Sequence, residues 1–581
     1  MIRGLVHAVL ATVFAVGTPS AASAGRIDVT ISTAPTHDMV LVGGVYSPTG
    51  DRAVLNANDL MTALNAGNLE VTTGSGRGKE SGDIVVGAAF HWASAYGLTL
   101  DAFHSIRVDA PVTDAGTGAL TVTTDDGGNG GHLQFGSGGN ISFWGLSNAL
   151  TINGQPYTLV NSVASLAAAI TANLNGNYAL AASYDASVDK TYKQDPIATT
   201  FNGNFEGLGN AVSNISIRAE SGGNEGFFSE IGTGASVSNF RLRNATVIQP
   251  DSKNQPPANV MGGLVGSSLG TLYGDDVSGV MRFMNLYEVG GLIGEGVGSI
   301  TQCSSSVAMK SNEKGYGAGS VGGLSGSFTG TITDSLASGN VSAGENTKAA
   351  GGLVGMASGA IRHSHATGNV SGRNSGQGSL GGLVGVSQSV ISDSYAMGDV
   401  TGGAWVGGLV GTAVANISGS FATGRVGGTE GDTMLAGGIV GYLETAIQGG
   451  GSTSVTNSYA TGAVSGAFLI GGLMGEPFAN ISIIGSYATG KITNQNASGG
   501  IAGDSCSPLA NDQIPCFSND YWDITTSGTT VGVGRGNAEG ITGLTTTQLK
   551  AGLPAGFDPK IWAEDRKINH GLPYLIANPP P

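Results

Sequence analysis

The chain has 581 residues, of which 100 are glycine and only 11% are charged, and its formal net charge is −16. So little Glu, Lys and Arg excludes helical bundles, and apolar residues that make up 40% of the chain and recur in register exclude a disordered polymer. An acidic chain without a dense Lys/Arg patch repels phosphate backbones, so nucleic acid is not an expected partner.

Residues 1–24 read as a signal peptide. Arg3 supplies the positive start, Leu5 to Val16 is apolar, and Ala22-Ser23-Ala24 offers small residues for cleavage before Gly25. That run is too short to span a bilayer, and no later stretch approaches ~18 uninterrupted apolar residues. The mature chain is therefore expected outside the cytoplasm, secreted or held at the cell surface, with the periplasm as the alternative, and without a transmembrane segment.

Residues 25–155 form an irregular β-helical N-terminal segment. Ile27–Ile31, Leu69–Thr73, Asp83–Val86, Leu98–Ala102, Ser105–Ala110 and Leu120–Thr123 alternate apolar and polar residues, with turn clusters such as Gly74-Ser75-Gly76 between them. Asn56 to Asn65 has helical spacing at Leu60, Met61 and Leu64. Residues 156–261 open with a helix near 160–174, where Val160, Val163, Leu166, Ala167, Ile170 and Leu174 fall at helical steps behind Asn161 or Ser162 as N-cap. The first irregular coils of a solenoid follow it.

Residues 262–500 are an array. Gly-Gly, an aliphatic residue, any residue and Gly recur from Gly262, Gly290, Gly322, Gly351, Gly381, Gly407, Gly437, Gly471 and Gly499, a period of about 30 that marks solenoids and propellers. Between them lies a second phrase, as in Ser364-His365-Ala366-Thr367-Gly368-Asn369-Val370 and Ser394-Tyr395-Ala396-Met397-Gly398-Asp399-Val400. Glycine suits sharp corners and close stacking. Leu353, Ile361 and Val370 are expected to point inward, and Ser364 and its equivalents to form a polar ladder from coil to coil. One such coil buries too little apolar surface to offset its ordering entropy, so neighbours must share a core. A parallel β-helix does this; a propeller is the competing array, but its blades need ~40–50 residues. Residues 501–581 are more aromatic, with Tyr521, Trp522 and Trp562 and a short helix around Thr546 to Leu553, and are expected to form an atypical C-terminal cap. Export makes a disulfide between Cys506 and Cys516 the expected state, with two free thiols as the alternative. Cys303 occupies the position of Ser335 in the next repeat and reads as a small stacked side chain.

No catalytic, cofactor-binding or metal-ligating residue stands out. Gly485 to Lys491 imitates a phosphate loop, but Ile492 occupies the Ser/Thr position. Gly266-Ser267-Ser268-Leu269-Gly270 matches a hydrolase elbow without the strand-turn-helix around it. His363 and His365 read as an exposed pair sharing one strand face, and Asp125-Asp126-Gly127-Gly128 as a turn rather than a calcium loop. Asp334 and Asp393 hold like repeat positions, but Gly419 and Gly485 replace them elsewhere, so no acidic cluster suited to glycan cleavage emerges.

The two phrases together resemble the GLUG motif. The flanks, including Thr151 to Leu159, Phe205 to Asn210, and Tyr521-Trp522-Asp523 with Gly556 to Pro559 and Trp562, look like the filamentous-haemagglutinin-like exoproteins of Gram-negative bacteria. The resemblance implies an all-β, right-handed parallel β-helix, export with an outer-membrane transporter as partner, and a non-catalytic adhesin role that binds a surface glycan or protein ligand. Between Gly25 and Leu98 no clear copy of the family's two-partner secretion domain is legible, and Pro579-Pro580-Pro581 does not resemble a barrel strand. A carbohydrate-active β-helix enzyme and an envelope scaffold are the alternatives.

Overall fold

A computed structural model describes residues 26–581 apart from 75–77, 219, 221, 251–259, 285, 312–317, 373–377, 428–433, 445–452, 479–480, 495 and 507–515. The signal-peptide segment lies outside the described residues. The chain is a parallel β-helix built as two coil stacks.

The coil beginning at Ala349 shows the unit. Its strands Ala349–Gly351, Val354–Ala357, Ile361–Arg362, His365–Ala366 and Val370–Gly372 lie directly beneath Ser379–Gly381, Val384–Ser387, Ile391–Ser392, Tyr395–Ala396 and Val400–Thr401 of the next coil, all parallel. Leu353, Ile361 and Val370 point inward with no exposed surface. Several inward columns repeat one residue type, as in Val354 under Val384, Ile361 under Ile391, Ala366 under Ala396 and Val370 under Val400, so identical side chains stack and the strand backbones pair from coil to coil.

The Gly-Gly phrase works by close approach. None of its glycines has positive φ. A Cβ on Gly352 would collide with the carbonyl of Gly382 on the next coil and lie 2.8 Å from the Ala366 methyl across the core. Gly382 meets Ala396, Gly408 meets Ala422, Gly438 meets Ala460 and Gly472 meets Ala488 in the same way. The two sequence phrases recur together because each supplies one side of this pinch. At the end of the Gly-Gly array Trp522 stands in register above Ala488 and its indole lies against Gly500.

Left-handed backbone is concentrated at a different corner, the one just before the serine. Asn239, Gly274, Gln302, Asp334, His363, Asp393, Gly419, Asn457, Gly485 and Asn519 all have φ between 46° and 67°. Asn, Asp and Gly tolerate this region best, which accounts for most of the row's composition.

The first stack has strands from Val29–Ser32 to Ala149–Ile152 around its own core, with Leu60 and Leu64 of helix α1 (Ala57–Leu64) inserted. The chain then reverses. Ala149–Ile152 pairs antiparallel with Gln155–Val160 around Asn153-Gly154, both with positive φ, a residue pair suited to a tight hairpin. The next strands serve two cores. Leu159, Ala179 and Ala181 face the first stack, whereas Val160, Tyr178 and Leu180 face the second, as strand alternation requires. Helix α2 (Val163–Ala172), capped by Ser162 and Ser165, seals the open end of the second core with Val163, Leu166 and Ile170.

At the far end, Cys506 and Cys516 are joined in a disulfide, with Cα atoms 5.8 Å apart. Helix α3 (Thr546–Leu549) and the residues after it fold back along the side of the solenoid. They cover the stacked rings of Phe421, Tyr459 and Tyr487, whose neighbouring centroids are 4.8 and 5.1 Å apart, with Phe557, Trp562, Leu572 and Leu575. Tyr487 donates to the Pro573 carbonyl at 2.6 Å, and Asn578 donates to the carbonyls of Ser394 at 3.3 Å and Gly419 at 3.0 Å. The C-terminal cap is thus a lateral strap as much as an end cover.

Gly382→Ala is expected to lower the thermal unfolding midpoint by far more than Ser371→Ala, because its methyl must open the spacing between coils; unfolding followed by circular dichroism checks this, and equal midpoints would contradict the pinch.

Candidate functional site

The residue after each left-handed corner is buried and forms a ladder. The Cys303 N–H donates to the Ser335 hydroxyl at 3.2 Å, and the N–H groups of Ser335, Ser364, Ser394, Ser420 and Ser458 each donate to the next hydroxyl along, at 3.1 to 3.3 Å. The Ser486 N–H donates to Asp520 at 2.9 Å. At the other end the Phe240 N–H donates to Asp275 at 3.0 Å. Cys303 takes a serine's place, its thiol reaching the Thr301 carbonyl at 3.4 Å as Ser335 reaches Thr333. Burial pushes its pKa well up, so it is no nucleophile.

Three consecutive corners meet the last coil of the first stack and enclose a cavity of about 250 Å³, lined by Arg107, Gln134, Phe135 and Gly136 on one side and Asn239, Gly274 and Gln302 on the other. Arg107 and Gln134 are register partners on adjacent strands. Tyr273 bridges the stacks: its hydroxyl accepts from Gln134 Nε2 at 3.1 Å and donates to Gln302 Oε1 at 3.0 Å. Its ring lies 4.5 Å from that of His132. Asn239 donates to the Leu133 carbonyl at 3.1 Å and to Glu206 at 3.3 Å. Arg241 fastens the junction by donating to the carbonyls of Gly136 at 2.6 Å, Gly139 at 3.2 Å and Gly209 at 2.7 Å. Arg107 is paired with Asp109 at 2.8 Å.

The electrostatics favour neutral groups. Glu206, which accepts the Leu208 N–H at 3.0 Å, is raised to about 8 by burial. Asp275 is pushed well up by burial and by its proximity to Glu206. Burial also raises Tyr273, to about 12, so its phenol stays a donor at neutral pH.

Of the motifs singled out from sequence, Gly485 is a left-handed corner and Tyr487 is a strand residue beneath the strap, so no phosphate loop forms. Ser268, the elbow position, ends the strand Val265–Ser268, is fully buried and accepts the Gly270 N–H at 3.2 Å. Asp125 turns its carboxylate onto the N–H groups of Asn129, Gly130 and Gly131, which makes it a turn. The histidine pair needs correction: His363 is a corner residue 3.8 Å from Asp393, whereas His365 is on the strand and stacks 4.5 Å from Tyr395, so they share no face. Among the described residues no group of three or more His, Cys, Asp or Glu is placed to hold a metal. The cavity residues carried no local motif. Their one sequence signal is that Asn239, Gly274 and Gln302 precede the ladder positions of Phe240, Asp275 and Cys303.

No family model matches the chain. A segment of 119 residues is 32% identical to Halomucin of Haloquadratum walsbyi, which covers 20% of this chain and 1% of Halomucin. Among solved structures, a Bacteroides ovatus protein named as a candidate immunoglobulin A1 protease is 15% identical over 73% of this chain and 92% of its own, with a TM-score of 0.23. Another, named IgA1 Protease, is 19% identical over 57% of this chain and 22% of its own, with a TM-score of 0.28. At these scores neither likeness carries an argument.

The buried acids set a pH dependence. Glu206 and Asp520 are both raised to about 8 by burial, so between pH ~4 and ~8 the folded chain binds more protons than the unfolded one. Stability should therefore fall as pH rises through that window and level off above it. Glu206→Gln should flatten the slope by up to one proton, as measured by thermal unfolding across pH; an unchanged slope would contradict the assignment.

Proposed function

We propose that this chain is an exported, non-catalytic attachment protein of the GLUG-repeat, filamentous-haemagglutinin-like kind, displayed on or released from a Gram-negative cell. The observation that carries this reading is the repetition of one side-chain row on consecutive coils. The backbone is consumed between coils, so the lateral surface offers side chains alone, in a regular series. Many weak contacts along such a series add up to firm attachment. The signal-like residues 1–24 support export, and the transporter implied by the resemblance would be its partner.

Deleting the gene should reduce attachment or aggregation, and the mature protein should be recovered from the medium or the cell surface. Unchanged attachment on several surfaces, or recovery from the periplasm alone, would sink the reading. New reducing ends or unsaturated products from a glycan panel would favour the enzymatic alternative.

A further inference from the structure

The geometry points to the junction cavity as a binding site for a single neutral sugar ring, bound by the side-chain amides of Gln134, Asn239 and Gln302 with the Tyr273 network behind them. This deepens the attachment reading and rests on it only for the ring's source, the end of a surface glycan.

The open hydrogen-bonding atoms are the first argument. Gln134 spends Nε2 on Tyr273, Gln302 spends Oε1 on the same hydroxyl, and Asn239 spends its amide nitrogen on Leu133 and Glu206. Gln134 Oε1, Gln302 Nε2 and Asn239 Oδ1 have no hydrogen-bond partner among the described residues and belong to side chains that line the cavity. They are neutral, and acceptors and a donor face the same space. A hydroxyl is both donor and acceptor, so a ring bearing adjacent hydroxyls satisfies such a set where a carboxylate or an ammonium does not. Both glutamines are held by one tyrosine, so the amides are oriented before a ligand arrives.

Charge and shape narrow the class. Arg107, the cation in the wall, already has Asp109 on its Nε. Phe135 supplies an apolar surface for the C–H face of a ring. At the Gly274 corner a Cβ would lie 2.6 Å from Asn239 Oδ1, so the absence of a side chain there lets the Asn239 amide keep its place in the wall. A volume of about 250 Å³ lies just under the ~300–1,000 Å³ of pockets for drug-sized ligands, the scale of one small ring. A peptide is disfavoured because it binds best to an unpaired strand edge. Here the coils are paired to one another, and the stacks are joined through bonds such as Ile141 N–H to the Leu208 carbonyl at 2.9 Å.

The test uses the full-length purified protein and a panel of neutral hexoses and N-acetylhexosamines, with the matching uronic acids, titrated up to ~10 mM by calorimetry. At least one neutral sugar should bind, more tightly than its uronic acid at low salt. Gln302→Met, which keeps length and removes both hydrogen-bonding atoms, should weaken it about three- to tenfold, with the melting temperature reported alongside. Hydrogen exchange of the unaltered protein localises the site without any variant: added sugar should protect segments near 132–137, 239, 272–275 and 302. Silence across the panel, preference for the uronic acid, protection elsewhere, or undiminished binding by a folded Gln302→Met would each overturn the assignment. If cell attachment depends on the gene while the sugars are silent, the site falls and the attachment reading stands. If sugars bind at the site while attachment is unaffected by deletion, the reverse holds.

Discussion

The contact on which the solenoid depends is the pinch between a glycine and an alanine that recurs on six consecutive coils, from Gly323 against Ala337 to Gly472 against Ala488. Gly352 against Ala366, and Gly382 against Ala396, bring opposite walls of a coil so close that the glycine tolerates no methyl. The same glycine sits beneath the carbonyl of its counterpart one coil on. One residue thereby sets both the thickness of a coil and the distance to the next. Aliphatic side chains such as Leu353, Ile361 and Val370 can then fill the remaining space with full burial, since tight packing makes added volume costly.

The ends of the array differ from its middle where repetition would leave groups without a neighbour. The serine ladder runs out at Asp275 on one side and Asp520 on the other, each accepting a backbone N–H from the adjoining coil. Trp522 replaces the alanine, and its indole lies between Gly500 and the glycines Gly532 and Gly543 of a last, partial coil. Helix α2 closes the opposite end. Carboxyl groups at these ends are held by burial in their neutral form, which suits a low-charge stack better than two buried anions.

The repeating part was legible because each of its requirements leaves a residue at a fixed spacing. The sequence alone places Ser364, Cys303 and the inward Leu353, and narrows the cap of helix α2 to Asn161 or Ser162, of which Ser162 is the one used. Of the two uses of glycine, close stacking belongs to the Gly-Gly phrase, whereas the sharp, positive-φ corner lies just before the serine. The division into two stacks was not legible. Asn153-Gly154 is a recognisable hairpin pair, but nothing local says that the strand after it will serve two cores, and Tyr178-Ala179-Leu180-Ala181 reads as an ordinary apolar run. The cavity was hidden for a related reason: Gln134 and Gln302 are far apart in the chain and share no motif, and only the reversal of direction brings them to one tyrosine.

The C-terminal strap has a mechanical meaning. Stacked coils are weakest when peeled one at a time from a free end. Residue 578 is anchored at Ser394 and Gly419, well inside the stack, while the rings of Phe557 and Trp562 lie over Tyr487. A pull on residue 578 is therefore delivered several coils inward and must slide the strap sideways across its aromatic bed. Tension meets a shear joint instead of an unravelling edge.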